Sequence, residues 1–214
     1  THTHTHTKPS KEHIINLALK FHSQGNISEA AKLYKYFINQ GFQDHRVFSN
    51  YGIILKDLGK LKEAVLSLRK AIELNPDFAN AHCNLGNILR DLGKLKEAEI
   101  STRQAIKFGP NIAEAYSNLG NILRDLGKLE QAKISMLKAI EINPNLATFY
   151  YNLGIILRNQ RKLIDAEKSI RKAIKLKPNY ANAYNILGGI LMDSDKLIEA
   201  ELSIIKALEL KPDF

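Results

Sequence analysis

Residues 84–95 read NLGNILRDLGKL, and residues 118–129 read NLGNILRDLGKL again, 34 residues further on. The same step carries prolines at 76, 110, 144, 178 and 212 and glycines at 52, 86, 120, 154 and 188. Alanines follow it at 30, 64, 98, 132, 166 and 200, with a second series at 71, 105, 139, 173 and 207. Self-similarity at a fixed period of this length marks a repeat array. With residue 11 as position 1, the chain divides without remainder into six units: 11–44, 45–78, 79–112, 113–146, 147–180 and 181–214.

Inside a unit the apolar residues recur at helical spacing. His82, Leu85, Ile88, Leu89 and Leu92 outline one face of a first helix. Gly93 ends it, because glycine takes the positive φ of a helix C-terminus without a Cβ clash. Leu95, Ala98, Ile100, Ala105 and Ile106 outline a second helix that ends near Gly109-Pro110, where proline cannot continue it. Each unit therefore reads as a helical hairpin. Gly86 and Ala98 let its two backbones approach, and Ala105 lets the following hairpin nest. A larger residue at such a site costs ~1–3 kcal/mol in overpacking.

On these residues the chain resembles the tetratricopeptide repeat family over residues 11–214. In the fourth unit the family pattern is carried by Tyr116, Leu119, Gly120, Leu123, Ala132, Met136, Ala139 and Pro144. The resemblance implies an all-α fold, a right-handed α-solenoid or superhelix of six tandem helix-turn-helix repeats. It further implies that first helices line a concave wall and that ligands are gripped from positions 2, 5, 6, 9, 12 and 13 of each unit. The first unit departs from the pattern at Ala18, Phe37 and Phe42, as expected of an end repeat. In the last two units Arg161 and Asp195 replace the inter-helix glycine. Aspartate tolerates positive φ better than most residues, whereas Arg161 is expected to strain or reshape its turn.

Two columns of candidate binding residues follow. Position 6 reads Asn16, Asn50, Asn84, Asn118 and Asn152 before Ile186, and position 9 holds Asn87 and Asn121. Amides can donate to and accept from the backbone of an extended peptide. The tetratricopeptide region of O-GlcNAc transferases is similar, gripping substrate backbone with an asparagine column. The other reading is that these amides tie neighbouring helices together. Position 12 reads His22, Lys56, Arg90, Arg124, Arg158 and Met192. Four cations one repeat apart would attract an acidic segment, since guanidinium pairs bidentately with carboxylate or phosphate. Alternatively they bridge to the adjacent column Asp57, Asp91 and Asp125, at ~0–1 kcal/mol per exposed pair, which a ligand can displace. The lysines that a carboxylate clamp needs at position 5 are missing: Ile15, Ser49, Cys83, Ser117, Tyr151 and Asn185 stand there.

The remaining features bound the function. The net charge of +9 suits acidic partners. Lys60, Lys94, Lys128, Lys162 and Lys196 share position 16, with Glu63, Glu97, Asp165 and Glu199 three residues after four of them, as a locally paired solvated face. No nucleic-acid motif accompanies this charge, so nucleic acid is not an expected partner, and no apolar run reaches the ~20 residues that cross a membrane. The single Cys83 fits a reducing compartment, and a cytoplasmic location is expected. Residues 1–10 read as a tag-like or disordered tail, in which His2, His4 and His6 form the only metal-ligand pattern. No cofactor is expected, nor is an enzyme: every glycine belongs to the repeat, and His82 beside Cys83 points about 100° away from it. The last second helix carries Ile198, Leu202 and Ile205 where earlier units mostly place two charges, so its face calls for a cover, by another copy of the chain or by another domain. The sequence thus describes a protein-interaction scaffold that binds an extended, acidic peptide in a concave groove. The alternative is the recruitment module of a larger enzyme, for example a glycosyltransferase, whose catalytic domain lies outside this chain.

Overall fold

The computed structural model describes residues 8–214, and within them every element of regular structure is an α-helix. In chain order these are α1 Lys11–Ser23, α2 Ile27–Asn39, α3 His45–Asp57, α4 Leu61–Leu74, α5 Ala79–Asp91, α6 Leu95–Phe108, α7 Ala113–Asp125, α8 Leu129–Ile142, α9 Ala147–Asn159, α10 Leu163–Leu176, α11 Ala181–Asp193 and α12 Leu197–Leu210. Every sequence unit thus carries two helices. None is long and apolar enough to cross a membrane. The helices form two compact bodies, α1–α5 ending at Lys94 and α6–α12 beginning at Leu95. The row His2, His4 and His6 lies outside the described residues.

In the first body α1 packs on α2 and α3 on α4. Ser10 caps α1 by accepting the His13 backbone N–H, and Asp44 caps α3 through the Arg46 N–H. The first hairpin places Phe37 where the other units have alanine and Phe42 where they have proline. Tyr34 and Phe37 are fully buried, and the Phe37 and Phe42 rings lie 5.4 Å apart. Those rings occupy the space that the alanine and proline of the ordinary pattern would leave.

In the second body the hairpins α7/α8, α9/α10 and α11/α12 surround one apolar core running from Leu119 to Ala200. The glycine of each first helix permits the pairing. A Cβ on Gly120 would stand 3.2 Å from the Ala132 carbonyl oxygen, and one on Gly154 would stand 2.4 Å from Ile170 Cδ1. A serine hydroxyl adds a tie at the same level. Ser169 Oγ donates to the Tyr150 carbonyl at 2.7 Å, as Ser67 Oγ donates to the Phe48 carbonyl at 2.6 Å in the first body.

The turns between paired helices share one hydrogen-bond frame. At Gly127, N–H groups of Gly127 and Lys128 donate to the carbonyls of Arg124 and Leu123 at 2.9 and 2.8 Å. Arg161 and Lys162 repeat it at 2.9 Å each, with Arg161 at φ 62°. Arg161 therefore leaves its turn unreshaped and carries the left-handed strain in its own backbone. Asp195, at φ 60°, does the same.

Candidate functional site

Within each body the first helices of successive hairpins touch: α3 with α5 in one, α7 with α9 and α9 with α11 in the other. First helices are thereby the inner row of each body, and they carry the asparagine and cation columns.

In the first body Asn50, Asn84 and Asn87 on α3 and α5 are half-buried, as are Lys56 and Arg90. Asn50 on α3 lies near enough to the Tyr34 hydroxyl on α2 to influence it. Burial of Tyr34 raises the phenol pKa, and Asn50 offsets part of that rise. The Tyr34 hydroxyl also lies 3.0 Å from His22 Nδ1.

In the second body Asn118 and Asn121 are half-buried and Asn152 is buried, at 8% exposure. The Asn121 Oδ1 atom is buried without a hydrogen-bond partner. Arg124 lies near enough to Tyr151 to oppose, by its charge, the rise that burial imposes on that phenol. The Tyr151 ring in turn packs at 5.0 Å on Tyr180, whose face receives Lys177 Nζ at 4.6 Å.

Arg158 is held in a defined geometry. Its Nε donates to Asp193 Oδ2 at 2.9 Å, reaching from the fifth unit to the sixth. The guanidinium crosses Gly189, where a Cβ would come within 2.7 Å of Nη1. Arg161 Nη1 approaches the same Asp193 oxygen at 3.6 Å. The Arg158 hydrogen bond holds the Asp193 carboxyl below its usual range, assisted by the charges of both arginines. The intra-helix neighbour of Arg124, Asp125, is only a loose partner, with its carboxylate 3.7 Å from Nε. Arg158 thus pairs with the position-13 carboxylate of the following repeat.

Just before the second helices, Lys128 reaches Glu99 at 3.3 Å and Lys196 reaches Glu167 at 3.3 Å, each pairing back to the preceding unit. This replaces, for Lys196, the pairing with Glu199 three residues on; Glu199 faces Arg171 instead, at 3.7 Å. Arg103 and Arg171 complete the clusters from within the helix, at 2.9 and 3.3 Å. Hydrogen bonding to Arg103, then to Lys128, lowers the Glu99 pKa. Burial pushes Glu167 up, but hydrogen bonds from Lys196 and Arg171 outweigh it and the net shift is downward.

Two recurrent features escaped the sequence reading. Serines stand at 67, 101, 135, 169 and 203, again 34 residues apart, and two of them tie the hairpin as described. In the third to fifth units position 4 is a hydrogen-bonding group aimed at the preceding turn: the hydroxyls of Tyr116 and Tyr150 donate to the carbonyls of Pro110 and Pro144 at 3.1 and 2.8 Å. His82 substitutes for tyrosine by donating from Nε2 to the Pro76 carbonyl at 2.8 Å, which assigns it a packing role. The period of the serines was the signal available for the first feature. Ile198, Leu202 and Ile205 on α12 are exposed, at 79%, 63% and 44%.

A tetratricopeptide-repeat model matches residues 79–111, 113–146 and 181–214, a second matches 135–168, and a TPR repeat model matches 52–93. A search of curated protein sequences found no match. Among solved structures, MamA is 25% identical over 76% of this chain and 95% of its own, with a TM-score of 0.66. YrrB, described as a TPR protein with an unusual peptide-binding site, is 23% identical over 86% and 94%, with a TM-score of 0.65. PilF of Pseudomonas aeruginosa is 18% identical over 94% and 92%, with a TM-score of 0.78. At these identities the structural likenesses speak for the fold, and the repeat models carry the family. The chain belongs to the tetratricopeptide-repeat family, and is an all-α helical-repeat solenoid of the kind that serves as a protein–protein interaction scaffold.

Proposed function

We propose that this scaffold is non-catalytic and binds an extended, acidic peptide segment along its first helices, in a reducing compartment such as the cytoplasm. The observation that carries the reading is the basic column. Lys56 and Arg90 in one body, and Arg124 and Arg158 in the other, occupy the same position of successive first helices and are half-buried. Half-buried stems restrict the rotamers of these cations, so less side-chain entropy is lost when a carboxylate arrives. Their present pairs are worth ~0–1 kcal/mol each where exposed, within reach of a competing peptide carboxylate. The asparagines take a secondary part. Asn84, Asn87, Asn118 and Asn121 are the half-buried amides on the same first helices as the cations. A structural relative described by its peptide-binding site is consistent with this use of the fold.

The test is binding of fluorescein-labelled extended peptides, rich in Glu/Asp, phosphorylated, neutral or basic, to residues 8–214. The comparison is the variant Arg90→Glu, Arg124→Glu, Arg158→Glu, with helicity checked by circular dichroism. Acidic peptides should bind the parent and lose at least about tenfold in affinity, or 1.4 kcal/mol, to the variant. Equal affinity for both proteins, or a preference for basic peptides, would sink the basic-column reading.

A further inference from the structure

Where the fifth hairpin meets the sixth, side chains of α10, α11 and α12 line a recess of about 410 Å³. That volume lies within the ~300–1,000 Å³ of small-molecule sites. Arg171 and Lys175, one turn apart on α10, and Lys206 on α12 bring three cations to it. Tyr184 and Ser203 bring hydroxyl groups, and Leu202 forms an apolar wall. None of the described residues lining the recess is acidic.

The preceding joint, between the fourth and fifth hairpins, is built differently at the same positions. Leu137 and Glu141 stand where Arg171 and Lys175 do. The Tyr150 hydroxyl donates to the Pro144 carbonyl at 2.8 Å, and Ser169 Oγ donates to the Tyr150 carbonyl at 2.7 Å. Lys172 Nζ lies over the Tyr150 ring, 5.9 Å from its centre. There the hydroxyls and the lysine serve packing. Tyr184, Ser203 and Lys206 occupy these positions in the sixth unit, and among the described residues neither hydroxyl makes a hydrogen bond. The cations are loosely held as well. Lys206 only approaches Glu209, at 3.9 Å, and Arg171 donates to Glu167 through Nε at 3.3 Å while Nη2 stands 3.7 Å from Glu199. Lys175 makes no ion pair among the described residues. A carboxylate would bring this recess one charge and two oxygens, whereas a phosphate monoester brings nearly two charges and three acceptor oxygens. We propose that the recess binds a phosphate monoester, with the phosphate on Arg171, Lys175 and Lys206 and the organic group against Tyr184 and Leu202. Two of the three cations lie on α10 and the third on α12, so the site is distinct from the basic column of the first helices.

The probe is phenyl phosphate, titrated into the full chain by isothermal calorimetry at physiological ionic strength. It should bind saturably and at least about threefold more tightly than inorganic phosphate, because the ring adds apolar contact, and phenol should not bind. Lys175→Gln and Lys206→Gln, both at exposed positions, should each weaken it about tenfold. Lys172→Gln removes the same charge from α10 outside the recess and should leave binding unchanged. Tyr184→Phe should weaken binding about threefold without lowering the thermal midpoint, since its hydroxyl has no partner to lose. Tyr150→Phe should do the reverse, lowering the midpoint and sparing the binding. A free aryl phosphate and a phosphotyrosyl side chain present the same chemistry. A neutral phosphotyrosyl hexapeptide that binds as tightly as phenyl phosphate assigns the ligand to a protein, and one at least about tenfold weaker assigns it to a small molecule. Absence of saturable binding, equal affinity for inorganic phosphate, or equal weakening by Lys172→Gln and Lys175→Gln overturns the proposal.

Discussion

The fifth and sixth hairpins are written in nearly the same register, yet one is interior to its body and the other ends it. In α10, Ile170 is fully buried and Glu167 is bridged from two sides. In α12, Ile204 at the same position is only half-buried and Glu201 sits beside an open recess. The difference teaches that a repeat's apolar pattern specifies both of its neighbours as well as its own hairpin. A unit lacking one neighbour keeps its helices and leaves half of its interface exposed.

Truncation at the paired positions tests this most strongly. Ile170→Ala should cost ~2–5 kcal/mol, in the range for a buried isoleucine, whereas Ile204→Ala should cost well under half as much. Denaturant unfolding combined with hydrogen exchange resolves the two, since repeat arrays need not unfold in one step. Equal losses would mean that the last hairpin is as tightly held as the fifth.

The turns give a smaller and opposite effect. Arg161→Gly should stabilise by ~1 kcal/mol through relief of the left-handed backbone. The loss of its 3.6 Å approach to Asp193, made by a largely exposed side chain, removes little of that gain. Asp195→Gly should give less, because aspartate tolerates that conformation better. A rise in thermal midpoint for Asp195→Gly larger than for Arg161→Gly would contradict this order.

The smallest effect concerns the pair that joins these two hairpins. The Asp193 pKa is lowered in the folded chain, so its contribution is fully present above the ordinary aspartate value of ~3.9 and is lost as pH falls below that toward the folded value. Arg158→Met should return the Asp193 carboxyl toward ~3.9 in a carbon-detected NMR titration and remove that increment of acid stability. An unmoved titration would show that Arg158 does not hold the carboxylate in solution.

The hairpins were legible in the sequence because glycine, alanine and proline at fixed spacing record backbone approach and chain reversal, both of which are local. The reach of Arg158 to Asp193 was not, since helical periodicity assigns a long side chain to a face without saying which repeat it meets. Gly189 held the clue, as the one glycine at position 9, though only the path of the guanidinium across it gives that glycine a meaning. Serine was overlooked for another reason. It is common on helix surfaces, and nothing in its letter distinguishes Ser169, which ties two helices, from a solvated hydroxyl.

Those serine ties also bear on elasticity. Ser67 and Ser169 clamp the two helices of the second and fifth hairpins where glycine already brings their backbones together, so those two hairpins resist internal bending. The polar links between hairpins, such as Lys128 to Glu99 and Arg158 to Asp193, run through long side chains with several rotatable bonds. Compliance is therefore concentrated at the joints. A ligand that spans several first helices would set their spacing by small rotations at those joints, working against soft springs while the clamped hairpins keep their shape.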